Sequence, residues 1–414
     1  MCRATPLIPA SVLAGALGCA LLRPLPAQQL VTRDQAVAAA LARGGRAALG
    51  RADTALAAGV LRAARAYPNP TFAATYTKDP PQYHYIADLT LDLPWLRSAR
   101  IGAASSAHDA ARWSFAFERA LIRFDTDTVY TRVLAALAHA RLSRRNAVDA
   151  DSLLRMARLR REVGDVSELD VRLAEVNAGQ LENVAVDDSL SALDAVLAVQ
   201  LAMGLAAEAQ TIRPVDSLVP PMPPPPDSAP GDPGEPLRVA TAAASLRAEE
   251  HTLALAHGNV IPPPSVQVGV EQGDPTEPGR GALPTIGVSL PLPLFNWNGG
   301  EIARASAARD RAQANLDLAR REFAADLSRA RRAYEAGLAR LARDRRLLAS
   351  ADRVAAMSLQ AYAEGAIPLA VVLESARNAR EALGRYIDDL AAANNGAAAV
   401  RLLAATAGGG GNEP

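Results

Sequence analysis

Residues 84–93 read HYIADLTLDL, and their side chains alternate between apolar and polar with a period of two. The polar face carries Asp88, Thr90 and Asp92. The same alternation recurs at about 71–78, 265–272 and 284–292. A period of two is typical of a strand with two different faces, and these lengths are close to the ~9–11 residues of a tilted membrane strand. A soluble antiparallel sheet packed on helices would show the same alternation.

The four strands belong to two copies of one pattern. Residues 66–72 are echoed at 260–266, residues 93–96 at 292–295, and the Gly164 turn at Gly365. Each copy reads as a helix, two strands, a very long helix, a glycine turn and another long helix. The predicted helices are near 32–66, 98–162, 167–205, 237–259, 299–363 and 368–405. We therefore expect a mainly α fold with a small membrane β portion, in two repeats at 28–206 and 237–407.

Three segments lie outside the repeats. Residues 1–27 are typical of an export signal with cleavage after Ala27, although the sequence before Cys19 leaves lipidation open as an alternative. Residues 207–236 are predicted to be a linker, because ten prolines between 213 and 236 disfavour helix and central strand. Residues 408–414 are predicted to be a disordered tail.

Composition argues against several classes of protein. The 414 residues carry 44 basic and 44 acidic side chains, so bulk positive charge for nucleic-acid binding is absent. Aromatic residues make up 4% and hydrophobic residues 50%, which favours long helices with small contact residues over a compact enzyme core. No phosphate loop, metalloprotease motif or serine elbow is present. We expect no enzyme activity, no cofactor, no resident metal and no nucleic-acid partner.

Four strands in one chain leave two open sheet edges. Unpaired backbone groups in hydrocarbon cost several kcal/mol each, so one chain alone cannot form a membrane barrel. Three copies related by cyclic symmetry would close a barrel of twelve strands, and the long helices would then form a tube below it. Aromatic residues near the two strand ends fit the belts at two membrane interfaces: Tyr76, Tyr83 and Tyr85 at one end and Trp95, Phe295 and Trp297 at the other.

At the level of motifs, the chain resembles the TolC-like outer membrane efflux proteins. The segments that carry the resemblance are PLPLFNWNGG at 291–300, YAEGAIPLAVVLE at 362–374 and its first-repeat counterpart REVGDVSELDV at 161–171. The YPNP sequence at 67–70 is similar to the cobalt-zinc-cadmium branch of that family. The resemblance implies a homotrimer in the outer membrane of a Gram-negative-type cell, with a large periplasmic portion. Its implied partners are outer membrane lipid, a periplasmic adaptor protein and an inner-membrane RND pump.

The resemblance and the strand alternation together predict roles for residues at the helix turns and on the polar faces of the strands. Asp170 and Glu374 match acidic residues that constrict the pore in family members, and we expect them to attract cations. Asp88, Asp92, Gln267 and Glu271 are expected to face the barrel lumen, where the carboxylates favour cations. The turns are expected to be adaptor-docking tips, composed of Val163, Gly164, Asp165, Val166, Ser167, Glu168 and Leu169 in the first repeat and Glu364, Gly365, Ala366, Ile367, Pro368 and Leu369 in the second.

The function predicted from the sequence is a passive exit duct of a tripartite efflux system, for metal ions or drugs. The duct of a type I protein secretion system would have the same fold and remains an alternative. A periplasmic adaptor is an alternative from another class. It would need one helical hairpin and a β-rich lipoyl-like domain, whereas this sequence predicts two hairpins and four membrane-length strands.

Overall fold

The computed structural model describes residues 28–208, 210–222, 234–273 and 281–406. The predicted export signal, the Cys19 alternative, the 408–414 tail and most of the prolines of the linker lie outside these residues. The described elements are, in order, β1 (Gln29–Val31), α1 (Arg33–Arg43), α2 (Gly45–Arg65), β2 (Thr71–Tyr76), β3 (Tyr83–Thr90), α3 (Pro94–Glu162), α4 (Glu168–Ala202), β4 (Ile212–Pro214), α5 (Leu237–Gly258), β5 (Ser265–Gln272), β6 (Leu283–Ser289), α6 (Gly299–Ala363) and α7 (Leu369–Leu403).

The mainly helical fold with a small sheet is confirmed. Helix α3 has 69 residues and α6 has 65. At about 1.5 Å per residue, each is roughly 100 Å long. Helix α6 packs closely on α7 because small residues meet there, and Gly337 lies against Ala393. The Ala- and Leu-rich composition therefore produces long helices in close contact.

One four-stranded antiparallel sheet has the order β2-β3-β5-β6. The helices that adjoin these strands in sequence pack in the same spatial order, since α2 packs on α3, α3 on α5 and α5 on α6. Each strand therefore continues into its own helix. The sheet ends at β2 and β6, and the helix layer ends on the same two sides, at α2 and α6. Farther from the sheet, α4 packs on α3, and α7 packs between α3 and α6.

Two features of the fold differ from the sequence prediction. The first helix is interrupted at Gly44, which ends α1 and precedes α2. A Cβ at this position would lie 2.3 Å from the carbonyl oxygen of Ala40, so the close approach requires glycine. The linker also contains strand β4, which pairs in parallel with β1. Pro214 is accommodated because β4 is an edge strand of a two-stranded sheet.

Candidate functional site: the helix tips and the polar sheet face

The two turns that join the long helices have the same backbone structure. Gly164 and Gly365 adopt φ values of 82° and 77°, which lie in the left-handed region. The amide of Asp165 donates to the carbonyl oxygen of Arg160 at 2.8 Å, and the amide of Ala366 donates to that of Ala361 at 2.8 Å. These bonds, with those of the glycine amides, form a Schellman motif that satisfies the last carbonyl groups of α3 and α6.

The turns differ in how the next helix begins. Ser167 caps α4, since its hydroxyl oxygen accepts from the amide of Asp170 at 3.2 Å, and the Asp170 carboxylate accepts from the amide of Ser167 at 3.2 Å. Pro368 precedes α7 as its N-cap and makes no side-chain bond there. The first tip is therefore fixed by a polar capping box, and the second by the restricted backbone of proline.

A buried apolar cluster holds the two tips together. It contains Leu154 and Ala157 of α3, Ala174 of α4, Tyr362 of α6, and Leu369 and Val372 of α7. Leu369 is 0% exposed, whereas Leu169 at the first tip is 66% exposed. Leu369 was predicted to be a docking contact. Its side chain instead packs in the buried cluster and stabilises the tip, so a docking surface at the second tip would have to be formed by the neighbouring residues.

Arg160 connects the tips by a contact that the sequence did not predict. Its guanidinium lies 4.9 Å from the centre of the Tyr362 ring and donates to the Tyr362 carbonyl oxygen at 2.7 Å. Burial raises the pKa of the Tyr362 hydroxyl above its ordinary value. Arg160 opposes this shift and Asp170 adds to it. Sequence reasoning missed the pair because 202 positions separate the two residues.

The two residues of the predicted constriction have different surroundings. The Asp170 carboxylate is engaged in the capping box, where it also accepts from the Ser167 hydroxyl at 2.9 Å. The Glu374 side chain is 61% exposed and lies 3.9 Å from Arg377. Glu374 also lines a cavity of about 380 Å³ between α4 and α7. A role for Asp170 and Glu374 in a constriction therefore stays a prediction.

The sheet has one polar and one apolar face, as the alternation predicts. Cross-strand neighbours on the polar face include Asp88 beside Gln267 and His84 beside Glu271. The Asp88 carboxylate accepts from the Gln267 amide at 3.0 Å, and a Glu271 oxygen lies 3.3 Å from a His84 ring nitrogen. The opposite face carries apolar and aromatic side chains, namely Phe72, Tyr76, Tyr83, Tyr85, Ala87, Leu89, Val266, Val268, Val270, Ile286 and Val288.

Asp92 does not belong to the polar face. Strand β3 ends at Thr90, and the Asp92 side chain is only 5% exposed. Its carboxylate lies 2.9 Å from Arg97 and 2.8 Å from Arg100. These arginines also donate to the carbonyl oxygens of Arg65 and Ala64, at the end of α2. The lumen prediction was wrong for Asp92, because its charge is neutralised inside the strand-to-helix junction.

Of the six aromatic residues predicted to form two belts, Tyr76, Tyr83 and Tyr85 lie in β2 and β3, whereas Trp95 lies at the start of α3 and Phe295 and Trp297 follow β6. The Tyr76 and Tyr83 rings are 5.3 Å apart, beside the β2–β3 turn. Beyond the other end, Trp95, Phe295 and Trp297 are 63%, 99% and 62% exposed in the single chain. Contact with lipid at these positions stays a prediction.

Within the described ranges, no helix combines the length and the apolar character needed to cross a bilayer. In this same part of the chain, no three His, Cys, Asp or Glu side chains lie together as a group that could hold a metal ion.

Known proteins provide an independent comparison. No protein-family model matches the chain. It is 28% identical over 230 residues to the cobalt-zinc-cadmium resistance protein CzcC of Cupriavidus metallidurans, and the match covers 55% of this chain and 53% of the relative. The chain thus matches about half the length of this curated relative.

Solved structures match almost the whole described fold. The CmeC outer membrane channel of Campylobacter jejuni superposes with a TM-score of 0.78 at 15% identity, covering 90% of this chain and 85% of that one. A membrane protein from Pseudomonas aeruginosa gives a TM-score of 0.77 at 18% identity, covering 90% and 93%. The expected fold of the single chain is thereby confirmed as the TolC-like fold of these outer membrane channels, and the trimer and its barrel stay predictions.

Proposed function

We propose that this chain is the outer membrane channel of a tripartite efflux system and works as a passive homotrimeric exit duct. The observation that carries the proposal is the shared order of strands and helices. A two-faced sheet continues strand by strand into a helix layer, and both are open on the same two sides. A wall of this form becomes a tube when its open sides meet those of identical copies.

The open sides have the properties that such closure needs. Strands β2 and β6 are the edges of the sheet and run antiparallel, so β6 of one copy can pair with β2 of the next. Unpaired edges in hydrocarbon would cost several kcal/mol for each backbone group. The outermost helices also expose apolar side chains: Leu49 and Leu56 on α2, and Leu347 and Val354 on α6. In a ring of three copies, the edge strands would be paired and these apolar side chains would be covered.

Location, partners and cargo follow from this arrangement. The apolar sheet face would lie in the outer membrane and the helix layer in the periplasm, with the tips farthest from the membrane. Val163 and Leu169 are exposed at the first tip, where an adaptor helix of a pump assembly would dock. The similarity to a cobalt-zinc-cadmium resistance protein favours metal ions as cargo. The chain itself would catalyse no reaction.

A matched pair of substitutions in β6 tests the membrane assignment. Ile286 is 80% exposed on the apolar face, whereas the neighbouring Thr285 lies on the polar face. Arginine facing lipid near the bilayer centre costs about 2–4 kcal/mol, but arginine in a water-filled lumen costs little. We expect Ile286→Arg to abolish heat-sensitive trimers and ion conductance in lipid vesicles, and Thr285→Arg to keep both. A wild-type chain that stays a water-soluble monomer without conductance would refute the proposal.

The proposed cargo can be tested in cells from which the gene for this chain has been deleted. Complementation with the chain should restore tolerance to cobalt, zinc and cadmium salts, with the Ile286→Arg variant as the inactive control. Restored drug tolerance without metal tolerance would change the cargo, while restored protein secretion would favour a type I secretion duct.

A further inference from the structure

The two repeats correspond residue for residue along their long helices. Helices α4 and α7 have 35 residues each, and both their first residues and their last residues are 201 positions apart. Helices α3 and α6 end at Glu162 and Ala363, which are also 201 positions apart. A shift of 201 positions therefore gives, for each residue near the end of α3 or within α4, its counterpart in α6 or α7.

One interface of the second repeat has no counterpart within the chain. Helix α7 packs on α6 of its own repeat and also on α3 of the first repeat. The same shift relates α7 to α4 and α3 to α6, but among the described residues α4 and α6 share no comparable interface. In a ring of identical copies, α6 at the end of one helix layer would meet α4 of the next copy. We call this contact the between-copy interface.

The contact between α3 and α7 shows what the between-copy interface would contain. A His139 ring nitrogen on α3 lies 2.9 Å from a carboxylate oxygen of Asp388 on α7. One turn away, Gly384 faces the same ring, since a Cβ on it would lie 3.9 Å from the ring carbon Cε1. Gly384 and Asp388 are four residues apart and therefore lie on one face of α7. This face packs on the first repeat.

The shift of 201 positions places two opposite charges in the between-copy interface. His139 corresponds to Arg340, and Asp388 corresponds to Asp187. Asp187 is exposed, and its side chain makes no hydrogen bond or ion pair within the described residues. The Arg340 side chain is 44% exposed, and its Nε donates to Asp389 at 2.8 Å. A guanidinium has further N–H donors, so Arg340 can bind a second carboxylate without releasing Asp389.

The charges around these two residues are complementary as well. Helix α4 carries seven acidic residues and one basic residue. The part of α6 from 329 to 353 carries eight arginines and three acidic residues. Helix α7, which packs on both repeats, carries four of each sign. Opposite net charges therefore lie on the two helices that a ring brings together, whereas contacts of α4 with α4 or of α6 with α6 would place like charges side by side.

Asp187 and Arg340 also lie at similar distances from the tips. Asp187 follows the first residue of α4 by 19 positions, and Arg340 precedes the last residue of α6 by 23. At about 1.5 Å per residue, both are roughly 30 Å from the turns. His139 and Asp388 have the same offset along α3 and α7, and they are in contact. The register of the helices therefore allows the pair, at a height well above the adaptor-docking tips.

We propose that the Asp187 carboxylate of one copy forms an ion pair with Arg340 of the next copy, within an interface of α4 with α6. This inference rests on the proposed homotrimeric duct and specifies the contact between its copies. The ring then has two kinds of interface, with a carboxylate–histidine contact inside each chain and a carboxylate–arginine contact between chains. Because the two sides of the between-copy interface differ in charge, the copies join in a cyclic order.

Chemical cross-linking of introduced cysteines tests the contact, and its counterpart inside the chain calibrates the reagent. His139→Cys/Asp388→Cys identifies a bismaleimide that spans the known contact, by a faster-migrating monomer band on a denaturing gel. The same reagent is then applied to Asp187→Cys/Arg340→Cys. Asp187→Cys/Leu347→Cys is the matched control, because Leu347 is exposed on a nearby face of α6 but lies roughly 10 Å closer to the tip. Both native cysteines lie within the predicted export signal.

We expect Asp187→Cys/Arg340→Cys to give bands of two and three linked chains, and the Leu347 control to give monomers. Wild-type trimers together with linked chains no more abundant than in the control would overturn the ion pair and leave the duct function standing. A wild-type chain without trimers would refute the duct function itself, and this inference with it.

A charge reversal provides a second test that keeps Arg340 and its bond to Asp389. Asp187→Lys places a cation beside Arg340 of the next copy, and Glu182→Lys makes the same charge change about 140° around α4. The protein concentration at which half of the trimers dissociate, measured by mass photometry in detergent, should rise about tenfold for Asp187→Lys, because three exposed ion pairs become repulsive. For Glu182→Lys it should change by less than about twofold. High salt should reduce the difference, since it screens exposed charges. Equal effects of the two substitutions would overturn the proposal.

Discussion

The buried carboxylate of Asp92 provides a sharp test of the strand-to-helix junction. Replacing it by asparagine keeps the size and one acceptor oxygen but removes the negative charge shared by Arg97 and Arg100. Breaking a buried ion pair by removing one partner costs about 3–5 kcal/mol. The arginine side chains remain 24% and 35% exposed, so water can solvate part of the remaining charge. We therefore expect a loss near the lower limit, about 3 kcal/mol per chain.

Thermal unfolding of the detergent-solubilised protein, followed by circular dichroism, measures this loss. For a large domain a change of 1 kcal/mol shifts Tm by roughly 2 °C, so Asp92→Asn should lower Tm by about 6 °C. Asp88→Asn is the control on the polar sheet face. The amide oxygen that this substitution leaves can still accept hydrogen bonds from Gln267 and Ser265, so Tm should change by less than about 2 °C.

Ion preference in planar bilayers should distinguish Asp88 from Asp92 in the opposite way to thermal stability. In the proposed trimeric duct, Asp88→Asn should reduce the preference for cations, because the three copies would lose a carboxylate that we expect to face the lumen. Asp92→Asn should leave the preference unchanged. If Asp92→Asn unfolded like the wild type and lost cation preference as Asp88→Asn does, the carboxylate of Asp92 would face the lumen and the ion-pair argument would be refuted.

Three further outcomes concern the tips. Leu369→Ala removes a fully buried side chain and should lower the free energy of unfolding by about 2–5 kcal/mol in denaturant titrations, whereas the exposed Leu169→Ala should change it by less than about 0.5 kcal/mol; equal effects would contradict the buried cluster. Gly164→Ala should lower the free energy of unfolding by about 1–2 kcal/mol, because the φ of Gly164 is 82°. Gly179→Ala, inside α4 with open space around it, should raise the free energy of unfolding by up to about 1 kcal/mol. Denaturant titrations in which both substitutions change the stability in the same direction would contradict this. The raised pKa of Tyr362 makes its hydroxyl harder to ionise in the folded chain than in the unfolded chain, so its contribution to stability is complete below pH 10 and is lost as the pH rises above the pKa of the unfolded chain. Between pH 9 and pH 11, the free energy of unfolding should therefore fall more in the wild type than in Tyr362→Phe. Equal losses in the two proteins would argue against the raised pKa.

Local patterns in the sequence were sufficient to predict the strands, the long helices and the tip turns. Alternation with a period of two identifies a two-faced strand, and Gly164 and Gly365 identify helix ends, because both signals lie within a few residues. The capping box of Ser167 and Asp170 is equally local, because its two residues are only three positions apart. These features are set by the chain immediately around them, so tertiary contacts did not change them.

Features that depend on distant residues could not be predicted. The alternation in 84–93 continues to Asp92, but Arg97 and Arg100 draw its carboxylate out of the strand pattern. Strand β4 was missed because its partner, β1, lies about 180 positions earlier. Leu369 belongs to an exposed turn in sequence, and only the packing of α3 and α7 buries it. In each case the neighbour that decides the outcome is remote along the chain.

The unequal start of α4 and α7 has a consequence for stoichiometry. A ring of three chains would present six turns, alternating between one with a serine-aspartate cap and one with a proline entry. Six identical partner molecules arranged around such a ring would meet two kinds of surface in turn, and three molecules could each span one of each kind. The binding ratio, measured by mass photometry on complexes with either turn altered, would therefore report which of the two surfaces a partner recognises.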